Sequence, residues 1–154
     1  MTAVSTLRRG LRGLLRRLDD DREVVKTERE WRDQLTPEQF RVLRSRGTER
    51  PFSGPVVRPD ASGMYRCAAC DAGLFRADTK FDSGTGWPSF TDSEPGGVEM
   101  RRDFSMGVPR TEVLCRRCGG HLGHVFNDGP EPEGKRYCIN ACALERGEAA
   151  DPRS

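Results

Sequence analysis

Cys138 sits between Arg136 and Asn140 in the alternating run Lys135-Arg136-Tyr137-Cys138-Ile139-Asn140-Ala141. On a strand, Arg136, Cys138 and Asn140 share one face, and the apolar Tyr137, Ile139 and Ala141 share the other. A fixed cation near a thiol favours the thiolate, the form that attacks electrophiles. The chain's only two histidines fall in His121-Leu122-Gly123-His124-Val125-Phe126. His124, on the face of Leu122 and Phe126, is the better acid or base, because imidazole titrates near neutral pH. His121, at an odd separation, needs a bend at Gly123 to join it, or acts from behind. Trp87, in the loop Gly84-Thr85-Gly86-Trp87-Pro88-Ser89-Phe90, suits the wall of a small apolar pocket, and sulfur packs well against such rings.

Four further cysteines form two Cys-x-x-Cys knuckles, Cys67/Cys70 and Cys115/Cys118, separated by 44 residues. Four thiolates in two clips suit one tetrahedral Zn²⁺ per chain, and a filled shell makes that ion structural rather than catalytic. Cys142 is left over.

The elements that must position these residues are lean. In 154 residues, hydrophobic types make up 34%, charged types 32%, and Gly and Pro together number 27. One core fits, and a metal staple would help it. The net charge of +2 gives no footprint for a nucleic-acid partner. No apolar leader or membrane-length run is visible, so a cytoplasmic protein with reduced thiols is expected, as a monomer. Residues 1–27 read as a loose basic arm. Leu7, Leu11, Leu14, Leu15 and Leu18 have helical spacing among arginines, but Gly10 and Gly13 weaken a helix, and membrane contact through 1–26 is not expected. Thr36-Pro37-Glu38-Gln39 opens a helix with a capping box, and Gly47 is expected to stop it. Beyond Pro51, strands are predicted over 63–67, 97–103, 110–115, 121–126 and 135–141, giving a mainly β, antiparallel domain with a short helical segment before it. Residues 147–154 read as a flexible tail.

Several motifs, in order, resemble the methionine sulfoxide reductase B family. They are Leu-Thr-Pro-Glu-Gln-Phe at 35–40, Gly-Thr-Glu-Arg-Pro-Phe-Ser-Gly at 47–54, Lys-Phe-Asp-Ser-Gly-Thr-Gly-Trp-Pro-Ser-Phe at 80–90, His-Leu-Gly-His-Val-Phe at 121–126, Asp-Gly-Pro at 128–130 and Gly-Lys-Arg-Tyr-Cys-Ile-Asn at 134–140, with both knuckles in register. The resemblance implies a domain over 28–146, two packed antiparallel sheets, and zinc on the side away from the active site. It implies reduction of protein-bound methionine (R)-sulfoxide. Cys138 would be the nucleophile and Trp87 the methyl-binding wall, with His121, His124 and Asn140 around the sulfoxide oxygen and Phe126 an aromatic neighbour. Arg136 matches in position, and its role beside the thiolate is read from the residues alone.

Many family members carry a recycling cysteine where this chain has Thr85. Cys142 would lie about 13 Å from Cys138 on a continuous strand at ~3.3 Å per residue, beyond a disulfide's Cα reach of about 7 Å. Unless the chain turns sharply after Asn140, an external thiol such as thioredoxin is expected to recycle the enzyme. Two rival readings are a zinc-stapled, non-catalytic binding module on the same scaffold and a hydrolase built on Cys138 and His124.

Overall fold

The structure is a computed structural model that describes residues 22–145. The leucine pattern at 7–18 and the tail at 147–154 lie outside the described residues. Two short helices open the domain. In α1 (Glu28–Gln34) the Thr27 hydroxyl accepts from the Glu30 amide at 3.1 Å, and the Glu30 carboxylate accepts from the Thr27 amide at 2.8 Å. Thr36 and Gln39 repeat this capping box at α2 (Pro37–Leu43). Helix α2 ends before Gly47. Arg46 makes the left-handed step, at φ 60, and the Gly47 amide returns to the Arg41 carbonyl at 2.8 Å. Residues 22–24 are tied to the second knuckle. Arg22 pairs with Glu99 at 2.8 Å, and the Val24 amide donates to the Arg117 carbonyl.

Eight strands follow among the described residues. β1 (Met64–Arg66) and β2 (Gly73–Arg76) form a two-stranded antiparallel sheet. The remaining strands are β3 (Lys80–Phe81), β4 (Ser89–Phe90), β5 (Val98–Asp103), β6 (Arg110–Cys115), β7 (His121–Phe126) and β8 (Arg136–Ile139). They form one antiparallel sheet in the order β3-β4-β8-β7-β6-β5. All five strands expected from the sequence are present. The last stops at Ile139, where the chain turns into a 3-10 segment, Ala141–Ala143. Aromatic rings join the two sheets. Phe75 of β2 stacks on Phe90 of β4 at 4.5 Å, and Tyr65 and Tyr137 meet these rings edge-on at 5.3 and 5.7 Å. Tyr137 and Ile139 thus face the core, which turns Cys138 outward.

Both knuckles use one backbone plan. The Cys67 amide donates to Ala72 and the Asp71 amide returns to Cys67; Cys115 with Gly120, and Gly119 with Cys115, repeat those bonds. Asp71 and Gly119 take the left-handed step, at φ 68 and 80. No helix among the described residues is long and apolar enough to cross a membrane.

Gly123 is fixed by the neighbouring strand. A Cβ there would run into the Cys138 carbonyl of β8. Gly123→Ala is therefore expected to lose about 3 kcal/mol or more by overpacking, read as a lower thermal midpoint. An unchanged midpoint would contradict the tight β7–β8 approach.

Candidate active site and metal centre

Cys138 lies mid-sheet, directly opposite Ser89 of β4 and His124 of β7. Such cross-strand partners hold their Cβ atoms about 4.5–5.5 Å apart. The thiol is half-buried at a cavity of about 270 Å³ whose wall includes Thr85, Trp87, His124, Phe126, Arg136 and Asn140.

His121 reaches the His124 face through a register shift. Val113 pairs with Gly123 but Leu114 pairs with His121, so Leu122 is an extra residue in β7. The bulge reverses the parity, and the two rings meet edge-on, 5.5 Å apart. Behind each imidazole lies a buried carboxylate. His124 Nε2 is 2.7 Å from Asp103 Oδ2, and His121 Nδ1 is 2.7 Å from Glu112 Oε2. The His124 hydrogen bond, with the Ser105 amide, holds the Asp103 carboxyl well below the usual carboxylate range. An ionised carboxylate only accepts, so His124 Nε2 is the donor and Nδ1 is left for the cavity. Burial pushes the His124 imidazole below its ordinary value, and the Asp103 hydrogen bond opposes this without overcoming it. His121 is buried beneath the cavity wall, and its Nε2 has no partner among the described residues.

The electrostatics of the thiol qualify the sequence reading. Burial pushes the Cys138 thiol above its ordinary value; the Arg136 charge and the Thr85 hydroxyl pull it down, but less strongly. Arg136 is also shared. It donates to both oxygens of Asp128, at 2.8 and 3.1 Å, and stacks 4.6 Å from the Phe126 ring centroid. Near neutral pH the resting pair is therefore a thiol facing a neutral imidazole.

Asn140 and Trp87 meet at Glu49, a residue not singled out from the sequence. The Asn140 side-chain Oδ1 accepts from the Glu49 amide at 3.0 Å, and the Trp87 indole donates to the Glu49 backbone carbonyl at 2.9 Å. The Glu49 carboxylate accepts from the Ala141 and Cys142 amides that open the 3-10 segment, at 2.6 and 3.2 Å. The turn after Asn140 exists, but it carries Cys142 into the core, where burial first, then the Glu49 charge, push its thiol far above the ordinary range.

Cys67, Cys70, Cys115 and Cys118 converge, with all four sulfurs within 4.8 Å of one another. This cluster can hold a metal ion. It lies at the Cys115 end of β6, whereas Arg110, at the other end, lines the cavity. Arg44 donates to the Cys118 carbonyl at 3.0 Å and lies 3.8 Å from its sulfur, beside the negative charge that such thiolates would carry.

Residues 35–148 match the model of the SelR domain family. The chain is 58% identical over 123 residues to the peptide methionine sulfoxide reductase MsrB of Agrobacterium fabrum, covering 79% of this chain and 91% of that protein. It is 54% identical over 124 residues to the protein of that name in Leptospira interrogans, covering 80% and 95%. The one in Methanosarcina barkeri is 57% identical over 122 residues, covering 79% and 86%. A two-sheet β domain with a cavity-facing thiol set apart from a thiol cluster fits a cysteine-based oxidoreductase. The chain belongs to the SelR, or MsrB, family.

Proposed function

We propose that this protein reduces protein-bound methionine (R)-sulfoxide to methionine, with Cys138 as the attacking thiol. The observation that carries this reading is the direct opposition of Cys138 and His124 across β8 and β7, at a cavity walled by Trp87. The thiol proton passes to His124, and Asp103 steadies the imidazolium that forms. The thiolate forms a bond to the sulfoxide sulfur while His124 returns the proton to the oxygen. The hydroxyl then passes from that sulfur to Cys138, so the old sulfur–oxygen bond and the new sulfur–sulfur bond both break. Methionine leaves with the electron pair of the sulfur–sulfur bond, and the oxygen stays on Cys138 as a sulfenic acid. Two electrons have moved from cysteine sulfur to methionine sulfur, and the proton count closes. Trp87 and Phe126 suit the methyl group, and Arg136 and Asn140 supply polar wall. His121, behind His124, orients the oxygen or its water.

An external dithiol such as thioredoxin completes the cycle. One of its thiols displaces water from the sulfenic acid, and the second releases Cys138 and takes up the disulfide. Cys142, buried in the core, supports this route over an internal bridge. A reducing compartment such as the cytoplasm belongs to the same reading.

Zn²⁺ fits the thiol cluster. Sulfurs at tetrahedral corners 2.3 Å from zinc lie about 3.8 Å apart, and the Cys67–Cys118 and Cys70–Cys115 pairs lie at 3.8 and 3.5 Å. Cys67, Cys70, Cys115 and Cys118 would hold it as a structural ion. Turnover of R- and S-sulfoxide peptides, separately and with dithiothreitol, tests the function. Reduction of the R epimer alone is expected; reduction of neither would favour a binding module, and ester cleavage without reductant a hydrolase.

A further inference from the structure

The two histidine–carboxylate pairs share one more residue. Asp103 gives Oδ2 to His124 and Glu112 gives Oε2 to His121; Arg46 Nη2 lies 3.5 Å from the other oxygen of Asp103 and 3.0 Å from that of Glu112. The two carboxylates are buried, whereas the Arg46 side chain is 54% exposed, so the bridge is the pair's opening to solvent. Arg46 also adopts φ 60, a conformation that a long side chain takes at a cost, two residues beyond the Arg44 cap of α2. We propose that Arg46 is a positioning residue for the paired histidines. Its charge lies beside the carboxylate oxygens that the histidines leave, favours Asp103 and Glu112 in the ionised form their imidazoles face, and offsets part of the negative field at the rings. Arg46 is not one of the residues that line the cavity; it acts through the carboxylates. This rests on His124 serving the proposed reduction.

The charges facing His124 come from several elements. Asp103 stands on β5, Arg110 and Glu112 on β6, His121 on β7 and Cys138 on β8, with Arg136 further along that strand. Arg110 also pairs with Asp103, at 3.3 Å, so two arginines and one imidazole compete for this carboxylate. The competition gives Arg46 and Asp103 opposite signs. Without the Arg46 cation, only Arg110 still offsets the carboxylates, and His124 takes up a proton more readily. Without the Asp103 charge, it does so less readily.

The chain has two histidines, so ring proton resonances report each one, and a His121→Gln spectrum assigns them. Titrating the resting protein, the His124 midpoint is expected to rise by about half a pH unit in Arg46→Met, to return in Arg46→Lys, and to fall by about one in Asp103→Asn. The acid limb of turnover on an R-sulfoxide peptide should move in the same order, with a cooperative thermal transition retained in the two Arg46 variants. A His124 midpoint that stays put or falls in Arg46→Met overturns the inference. So does failure of Arg46→Lys to restore it. Arg46 is exposed, so its variants carry the test even where Asp103→Asn misfolds. The titration needs no turnover. An unmodified protein that leaves the R-sulfoxide intact overturns the proposed function instead.

Discussion

Replacing Cys138 with serine is expected to lower turnover of methionine (R)-sulfoxide by at least about a thousandfold, into the background of the assay. The substitution is nearly isosteric, and position 138 lies at a cavity, so strand register, pocket and fold should persist. What disappears is the sulfur. A serine hydroxyl neither ionises to an effective nucleophile nor takes up the oxygen as a sulfenic acid. His124 cannot compensate, because the electrons must come from the attacking atom. Cys142→Ala provides the control. That residue faces the core and lies outside the proposed cycle, so a single turnover of the pre-reduced variant should still yield one methionine per chain. Turnover retained in Cys138→Ser would remove position 138 from the chemistry.

Loss of the proposed zinc is expected to have the largest effect on stability. A structural zinc in a four-thiolate site contributes roughly 10–16 kcal/mol of apparent folding free energy, comparable with the whole net stability of a domain, about 5–15 kcal/mol. The knuckles join the small sheet to the end of β6, and Cys67, Cys115 and Cys118 are part of the buried core. Without an ion, four thiols within 4.8 Å would crowd a space that no disulfide closes. Elemental analysis should find one zinc per chain in the purified protein, and less than about a tenth of that in Cys115→Ser. The variant, or the protein treated with a strong chelator, should lose its cooperative thermal transition. A metal-free protein with an unchanged midpoint would exclude a structural staple.

The parts of this molecule that obey a local period were legible in its residues. The alternation around Cys138 placed Tyr137 and Ile139 in the core and the thiol on the opposite face, as the burial pattern shows. The Thr36–Gln39 capping box marked α2 for the same reason. Helix α1 carried the same signal, Thr27-Glu28-Arg29-Glu30, but its seven residues lie where the basic arm was read to end. Strands β3 and β4 are two residues each, too short for any period.

The site was less legible where long-range pairing decides. The sequence asked for a bend to bring His121 beside His124, but only the pairing of β6 with β7 shows the extra residue at Leu122. Asp103 and Glu112 lie on strands where charged residues usually mark a solvent face, and their burial depends on histidines up to 21 residues away. Arg46 and Glu49 read as loop residues around Gly47. Their partners, Asp103, Glu112, Asn140 and Trp87, are far away in the chain. Arg136 was read as a cation beside the thiol, but its sharing with Asp128, and the burial that outweighs it, depend on the folded environment.

The most direct test is to trap the oxidised cysteine. Pre-reduced protein is mixed with one equivalent of an R-sulfoxide peptide and a sulfenic-acid reagent, without reductant, and the modified residue is located by peptide mass spectrometry. One adduct on Cys138, matched by one methionine released, is the expected result. Methionine formed with no adduct on Cys138, or with Cys138 joined to Cys142 in most chains, would contradict a catalytic cycle that ends in an open sulfenic acid awaiting an outside thiol.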